Sequence, residues 1–133
     1  MKILFVCKGN VARSQMAEAY YNYFTKSKEA SSAGVLDFTP LKYGHPIKEV
    51  VQVMQEDNID VSKQTVKYIT QEMVDTNDKI FIMCQKEESP KFLLESNKVT
   101  FWSIADPFDT SLENFRRIKD EIKRHIEQLI QKE

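Results

Sequence analysis

Short, mostly apolar runs divide the chain and predict β-strands that are buried on both faces. Each run is too short for a buried helix and is rich in β-branched or aromatic residues. A weaker, small-residue segment predicts one further strand. The predicted strands are Ile3 to Val6 closed by Cys7, Ala30 to Ser32 ending at Ala33-Gly34, Lys79 to Cys84, and Val99 to Ile104.

Between these strands, apolar residues recur at helical spacing and predict amphipathic helices. Pro46 is expected to open the second helix, and a Thr110-x-x-Glu113 capping box to start the last one. A short helix is predicted from about Thr70 to Asn77. The alternation of strands and helices predicts an α/β fold, a three-layer α/β/α arrangement around a four-stranded parallel sheet. The apolar stripes are Met16, Ala19, Tyr20, Tyr23 and Phe24; Ile47, Val50, Val51 and Met54; and Leu112, Phe115, Ile118, Ile122, Ile126 and Leu129.

The first strand runs directly into a loop that has the composition of an anion site. Gly9 and Asn10 adopt positive φ readily, and good helix formers follow. Such a turn directs backbone N–H groups and the positive end of a helix at one point. Cys7 is expected there as a stabilised thiolate, with Arg13 holding two oxygens and Ser14 donating a hydrogen bond to the sulfur. The alternative is a buried cysteine in an ordinary strand–helix turn.

Two further reactive residues, Cys84 and Asp106, close other predicted strands. Parallel sheets bind ligands beyond the carboxyl ends of their strands, so these residues are expected near Cys7. Cys84 is either a small apolar core residue or a redox partner for Cys7. Asp106, followed by Pro107, is either a turn signal or an acid for catalysis.

Length, charge and cysteine content narrow the class of protein. A chain of 133 residues is expected to form one domain over 1–133. A net charge of −1 argues against a nucleic-acid or membrane-surface partner. Only two cysteines, no signal-like start and no long apolar run predict a cytoplasmic protein. No cofactor and no metal are expected, because the loop itself supplies positive charge.

The segment CKGNVARS from Cys7 to Ser14, followed by QMAEA, resembles the phosphate-binding loop of the low-molecular-weight protein tyrosine phosphatases. It also resembles that of the thioredoxin-coupled arsenate reductases, which share their fold. The resemblance covers nearly the whole chain, including SSAG at residues 31–34 and Asp106-Pro107. It implies a flavodoxin-like strand order 2-1-3-4 and a supporting hydrogen bond between Ser32 and Asn10. The residues expected to bind phosphate are Lys8, Gly9, Asn10, Val11, Ala12, Arg13 and Ser14.

The resemblance implies a cysteine-dependent phosphomonoesterase, and a protein tyrosine phosphatase in particular. Cys7 is expected to attack phosphorus while Arg13 and the loop amides hold the oxygens; Asp106 would protonate the leaving oxygen and then activate water. Phe38 and Phe108 are expected to wall the cleft and favour aryl groups. The expected partners are a phosphorylated protein or a small aryl phosphate, with phosphate, sulfate or arsenate-like oxyanions as inhibitors.

Arsenate reduction is the competing interpretation, because arsenate mimics phosphate. The thioredoxin-coupled reductases use three cysteines; Cys84 matches the second, but Lys91 occupies the position of the third. Ala12 also replaces a loop cysteine that both branches usually carry. The sequence therefore predicts that any reductase activity uses an external thiol or redox protein. Lys86 in place of an acidic residue, and the absence of the expected histidine from segment 62–67, are further departures. A non-catalytic anion-binding module is the third interpretation.

Overall fold

The computed structural model describes residues 1–36, 44–105 and 111–132. Helices connect successive strands through these ranges, with two helices between the second and third strands, and a 3₁₀ turn at Lys86–Glu88 follows the third strand. The elements are β1 (Ile3–Cys7), α1 (Arg13–Thr25), β2 (Ala30–Gly34), α2 (Lys48–Gln55), α3 (Gln71–Thr76), β3 (Lys79–Ile82), α4 (Lys91–Leu94), β4 (Val99–Phe101) and α5 (Leu112–Gln131).

The four strands form one parallel sheet in the order β2-β1-β3-β4, which confirms the predicted sheet and its order. In this register Cys7 lies opposite Gly34, and Val6 lies opposite Ile82. The chain steps to β2 on one side of β1 and later to β3 on the other, so the segment after β1 occupies the switch point where such sheets bind ligands. The ladder continues beyond β3, where the N–H of Met83 donates to the carbonyl of Val6 at 2.8 Å.

Successive residues of β1 point to opposite faces of the sheet and enter two separate apolar clusters. Ile3 and Phe5 belong to the cluster that packs against α1, α2 and α5, whereas Leu4 and Val6 belong to the cluster against α3 and α4. Every residue of β1 is buried, as expected for a strand that is covered on both sides. Helices on both faces confirm the three-layer arrangement.

The last turn of α1 is less buried than its apolar stripe predicts. Tyr20 and Tyr21 are buried, but Tyr23 is 52% and Phe24 is 36% exposed. Phe24 stacks on Tyr20 with ring centroids 5.6 Å apart and makes a T-shaped, edge-to-face contact with Tyr23. The expectation that Tyr23 and Phe24 are core residues is therefore wrong, because the cluster against the sheet and α5 is filled by earlier residues of the helix.

Two helices begin later than predicted. α2 starts at Lys48 with Ile47 as its N-cap, two residues after Pro46. α5 starts at Leu112, where the Ser111 hydroxyl accepts from the N–H of Asn114 at 3.2 Å. The prediction that Thr110 caps this helix is wrong: the neighbouring Ser111 carries the same kind of hydroxyl and is the N-cap. Thr110 itself lies outside the described residues. In the described part of the chain, no helix has the length and apolarity to cross a bilayer.

Candidate active site at the carboxyl edge of the sheet

The segment between β1 and α1, residues 8–12, is called here the β1–α1 loop. The end of β2 supports it through backbone hydrogen bonds: the N–H of Val35 donates to Cys7 O at 3.1 Å, and that of Leu36 to Lys8 O at 2.8 Å. Gly34 lies against the loop so closely that an added Cβ would be 2.8 Å from the carbonyl carbon of Gly9 and 2.9 Å from the amide nitrogen of Asn10. Only a residue without Cβ permits this approach.

Replacing Gly34 with alanine is therefore expected to displace the β1–α1 loop, since the clash is with backbone that cannot rotate away. We expect a loss of about 1–3 kcal/mol in the free energy of unfolding. Turnover should fall roughly tenfold or more, because small misplacements of reacting groups are costly. Chemical denaturation and kcat/KM measure the two effects. Gly44→Ala is the matched control, because its Cβ would meet nothing within 4 Å; equal losses in both variants would contradict this role for Gly34.

A chain of hydrogen bonds leads to the sulfur of Cys7. The backbone N–H of Lys67 donates to Asn10 Oδ1 at 2.8 Å, which orients the Asn10 amide so that its Nδ2 donates to Ser14 Oγ at 2.7 Å. Ser14 Oγ lies 2.9 Å from Cys7 Sγ. Because Ser14 Oγ accepts from Asn10, its own O–H can be given to the sulfur, as a thiolate requires. The backbone N–H of Asn10 also points at Sγ, at 3.3 Å.

Asn10 is fully buried and has a left-handed backbone, with φ of 59°, a conformation that needs support from its surroundings. Gln15 supplies part of it: its Nε2 donates to the Asn10 carbonyl at 3.0 Å and to the Thr65 carbonyl at 2.8 Å. Gln15 Oε1 in turn accepts from Gln64 Nε2 at 2.6 Å. Sequence reasoning missed Gln15 and Gln64, since they meet across about fifty residues of chain and nothing local marks them.

Ser32 was expected to hydrogen-bond Asn10, and this prediction is wrong. The Ser32 hydroxyl donates to Glu18 Oε1 at 2.7 Å, while Ser14, Gln15 and Lys67 satisfy the Asn10 side chain. Glu18, on the second turn of α1, attracts the hydroxyl because a carboxylate is the stronger acceptor. Ser32 therefore contacts Glu18 of α1 and not the β1–α1 loop.

Arg13, the first residue of α1, is only 4% exposed. Its Nη1 donates to the carbonyls of Met83 at 2.5 Å and Ile104 at 3.1 Å. The guanidinium is thus fixed by the chain beyond the ends of β3 and β4, at the same edge as Cys7. Ala12, at the N-cap of α1, has no side-chain oxygen that could cap the helix, so the first-turn N–H groups add positive potential beside Arg13.

Lys8 of the loop forms an ion pair with Glu88, with 3.3 Å between Nζ and Oε2. Glu88 is held in place because its Oε1 accepts from the N–H of Gln85 at 3.0 Å, within the capping box of the 3₁₀ turn. That backbone hydrogen bond, and then Lys8 and Arg13, hold the pKa of Glu88 below its usual value. A charged carboxylate therefore opposes the positive potential at the mouth of the site.

Glu88→Gln is expected to tighten the binding of inorganic phosphate, because it removes a negative charge that competes for Lys8. We expect a two- to fivefold lower Kd, about the size of one partly exposed ion pair, and a smaller effect at high salt. Titration calorimetry at two ionic strengths measures it. Glu87→Gln makes the same change of net charge at an exposed neighbour; an equal effect there would show that the contact with Lys8 is irrelevant.

A cavity of about 560 Å³ opens beside Arg13 and Lys8. A cavity of about 630 Å³ lies elsewhere, between β4 and α5, and no residue predicted to act chemically lines it. The first cavity therefore lies beside the site, although Cys7 itself is not among its lining residues. Its lining residues are Lys8, Arg13, Met83, Cys84, Gln85, Glu88, Trp102, Ser103, Ile104 and Ala105.

Cys84 lines this cavity but differs from Cys7 in its surroundings. Cys7 packs in the cluster against α1 and α5, whereas Cys84 packs in the cluster on the other face of the sheet. Both are free and buried. Burial, above all, raises the pKa of the Cys84 thiol, although Ser89 Oγ lies 3.6 Å from its sulfur and acts in the opposite direction. Cys84 thus lies beside the site, in surroundings that favour the neutral thiol over the thiolate.

Three predicted site residues, Phe38, Asp106 and Phe108, lie outside the described residues. Lys91, which occupies the position of the third cysteine of the reductases, begins α4 and pairs with Glu95 at 3.7 Å. Within residues 1–36, 44–105 and 111–132, no group of three or more His, Cys, Asp or Glu side chains could hold a metal ion.

Known proteins resemble this chain over nearly its full length. A glutaredoxin arsenate reductase of Synechocystis is 32% identical over 132 residues, covering 98% of this chain and 97% of the relative. Among solved structures, a low molecular weight protein tyrosine phosphatase from T. tengcongensis matches with a TM-score of 0.84 and 27% identity, over 100% and 99% of the two chains. An arsenate reductase in a phosphate-binding state matches with a TM-score of 0.82 and 30% identity, over 99% and 98%.

The family described as low molecular weight phosphotyrosine protein phosphatase matches residues 2–133. That match includes β1, the β1–α1 loop and α1, where Cys7, Asn10, Arg13 and Ser14 come together. Because this family model matches almost the whole chain, and because an arsenate reductase is 32% identical over 98% of it, the chain belongs to the low molecular weight phosphotyrosine protein phosphatase family.

Proposed function

We propose that the protein hydrolyses phosphomonoesters through a cysteinyl-phosphate intermediate. Cys7 Sγ attacks phosphorus, and the ester oxygen leaves with a proton from Asp106. Water then attacks the cysteinyl-phosphate while Asp106 takes up the proton, which releases inorganic phosphate and restores the thiolate. Arg13 and the loop amides stabilise the charge on the equatorial oxygens in both steps.

The arrangement around the Cys7 sulfur carries this proposal. Ser14 Oγ at 2.9 Å and the Asn10 N–H at 3.3 Å both face Sγ, so a thiolate finds two hydrogen-bond donors already in place. Arg13 is fixed at the same edge of the sheet by two carbonyls. A nucleophile, its stabilising donors and a guanidinium are therefore pre-organised before substrate arrives.

For the substrate we propose an aryl phosphate, with phosphotyrosine in a protein as the natural form. This rests on the sequence positions of Phe38 and Phe108, two aromatic side chains able to sandwich a ring. The likeness to a protein tyrosine phosphatase of known structure supports it. We also propose a cytoplasmic location, because a reducing compartment keeps Cys7 and Cys84 as free thiols.

Arsenate reduction is the second candidate, and the position of Cys84 in the cavity wall favours it. In that reaction Cys7 Sγ attacks arsenic and one oxygen leaves as water. Cys84 then attacks Cys7 Sγ, the sulfur–arsenic electron pair stays on arsenic, arsenite departs and a disulfide forms. An external dithiol reduces the disulfide. The glutaredoxin arsenate reductase among the relatives supports this alternative, but the raised pKa of the buried Cys84 works against it.

A side-by-side assay tests the proposal with aryl phosphate as one substrate and arsenate plus glutathione, glutaredoxin or thioredoxin as the other. If hydrolysis is the activity, Asp106→Asn should slow it roughly a hundredfold, the usual contribution of general acid catalysis. Cys84→Ser should then hydrolyse aryl phosphate at a near-normal rate. Arsenite production that requires Cys84, together with no measurable hydrolysis by the unmodified protein, would replace the phosphatase assignment with the reductase.

A further inference from the structure

Behind the β1–α1 loop, three polar side chains from separate parts of the chain meet. Lys67 Nζ lies 3.8 Å from Glu18 Oε1 of α1, and the same Oε1 accepts from the Ser32 hydroxyl of β2 at 2.7 Å. The side chains of Lys67 and Glu18 are 31% and 14% exposed. Neither the hydrolytic steps nor the oxyanion contacts proposed above use this cluster.

The main chain of Lys67 links two supports of the site. Its N–H donates to Asn10 Oδ1 at 2.8 Å, and its carbonyl accepts from the N–H of Gly34 at 2.8 Å. One residue therefore touches both the buried asparagine of the loop and the glycine against which the loop packs. A shift of Lys67 would disturb both contacts at once.

The side chain of Lys67 folds back on its own segment. Nζ donates to the Thr65 carbonyl at 2.6 Å, the same carbonyl that accepts from Gln15 Nε2 at 2.8 Å. Burial lowers the pKa of Lys67, and the carboxylate of Glu18 opposes that shift. The ammonium is thus tied to Thr65 and attracted by Glu18, and segment 65–67 is fixed against α1.

We propose that Lys67 is a positioning residue: its ammonium, held by Glu18 and Thr65, keeps its own N–H on Asn10, and through Asn10 and Ser14 orients hydrogen-bond donors toward the Cys7 sulfur. The inference rests on the proposed role of Cys7 as nucleophile but not on the identity of the substrate. Lys67 does not touch Cys7 in this arrangement. Its effect reaches the sulfur through two side chains, with atom separations of 2.8, 2.7 and 2.9 Å.

A purely structural role for the Lys67–Glu18 ion pair would differ from a positioning role in one measurable respect, the reactivity of Cys7 in the folded protein. An ion pair that only stabilises the fold changes the melting temperature and leaves the reactivity of Cys7 in the folded protein as it was. A positioning role changes the pH dependence of Cys7 alkylation even when the protein is fully folded. Among the described residues, the charged or titratable groups that line the cavity at this edge of the sheet are Lys8, Arg13, Cys84 and Glu88. They remain unchanged in every variant below, as does Asp106.

The test uses Lys67→Met, which keeps the aliphatic length and removes the ammonium, with Lys67→Arg to restore the charge. Lys63→Met, at an exposed position of the same segment, is the matched control. Iodoacetamide alkylation is followed against pH by mass spectrometry of the separate peptides that contain Cys7 and Cys84. We expect the midpoint for Cys7 to rise by about one pH unit in Lys67→Met, equivalent to about a tenfold change in thiolate population. Lys67→Arg should recover most of the shift, and Lys63→Met should match the unmodified protein.

Glu18→Gln provides a second variant in case Lys67→Met fails to fold, because glutamine still accepts from Ser32 while losing its attraction for the ammonium. It should move the Cys7 midpoint in the same direction by a smaller amount. A Cys7 profile in folded Lys67→Met or Glu18→Gln that is identical to the unmodified protein would overturn this inference alone. If the unmodified protein itself alkylates like free cysteine, the proposed function fails instead.

Discussion

Replacing Cys7 with serine is expected to abolish turnover while the protein still binds oxyanions. A serine hydroxyl is a far weaker nucleophile than a thiolate and has no general base assigned to it here, so kcat should fall by on the order of 10⁴ or more. Arg13 keeps its carbonyl contacts with Met83 and Ile104, which do not involve the sulfur. Phosphate should therefore bind at least as tightly, since a negative thiolate no longer repels it.

Hydrolysis of aryl phosphate measures the first effect, and the fluorescence of Trp102 measures the second. Trp102 is the single tryptophan of the chain and lines the cavity beside Arg13, so its emission should report phosphate binding. Cys84→Ser is the matched control because it changes the other buried cysteine. Turnover that survives in Cys7→Ser, or is lost equally in Cys84→Ser, would contradict the assignment of Cys7 as nucleophile.

Arg13→Lys is expected to lower kcat/KM by about 10²–10³, the loss typical of removing one transition-state donor. Lysine keeps the positive charge but has no planar fork, so it cannot bind two carbonyls and two oxyanion oxygens at once. The Met83 and Ile104 carbonyls would compete for the single ammonium. The loss should appear mainly in kcat, because charge on the equatorial oxygens is largest in the transition state.

Steady-state kinetics with aryl phosphate measure the loss in kcat, and competitive inhibition by phosphate measures any loss in oxyanion binding. Arg116→Lys serves as control, since Arg116 lies on α5 and pairs at the surface with Glu56 at 2.8 Å. Its kcat/KM should change by less than about twofold, as for other surface substitutions. If Arg13→Lys retains normal kcat/KM, the guanidinium does not stabilise the transition state as proposed.

The sequence was informative where the signal is local. The apolar run of β1, the stripe that starts at Met16 and the Gly9-Asn10 pair each lie within a few residues, and each led to the correct element or loop. Of the pair, only Asn10 has a positive φ. The placement of Cys7 and Cys84 at one edge followed from parallel topology, which puts the carboxyl ends of strands together. Arg13, at the start of α1, lines the same cavity as Cys84. The cap of α5 was misplaced by one residue, because Thr110 completes a capping-box pattern with Glu113 whereas Ser111 caps the helix in the structure.

The supporting contacts could not be predicted in the same way. Asn10 is held by Lys67, Gln15 by Gln64, Ser32 by Glu18, and Arg13 by a carbonyl ninety-one residues away. A polar residue at such a position has the same local pattern as one exposed to solvent. The resemblance led to the wrong partner for Ser32, because Glu18 offered a stronger acceptor on the neighbouring helix.

By itself, the sequence determined the order along the chain of the four strands and of every helix except the four-residue α4. It also determined the α/β class and the loop between Cys7 and Arg13 that carries Asn10, since periodicity and loop chemistry are properties of neighbouring residues. Only the tertiary structure decided which distant groups hold that loop: Gly34 by its close approach, and Lys67 through its N–H on Asn10. The reason is that a hydrogen bond requires placement to within a few tenths of an ångström. Packing of whole elements sets that placement, and no local pattern encodes it.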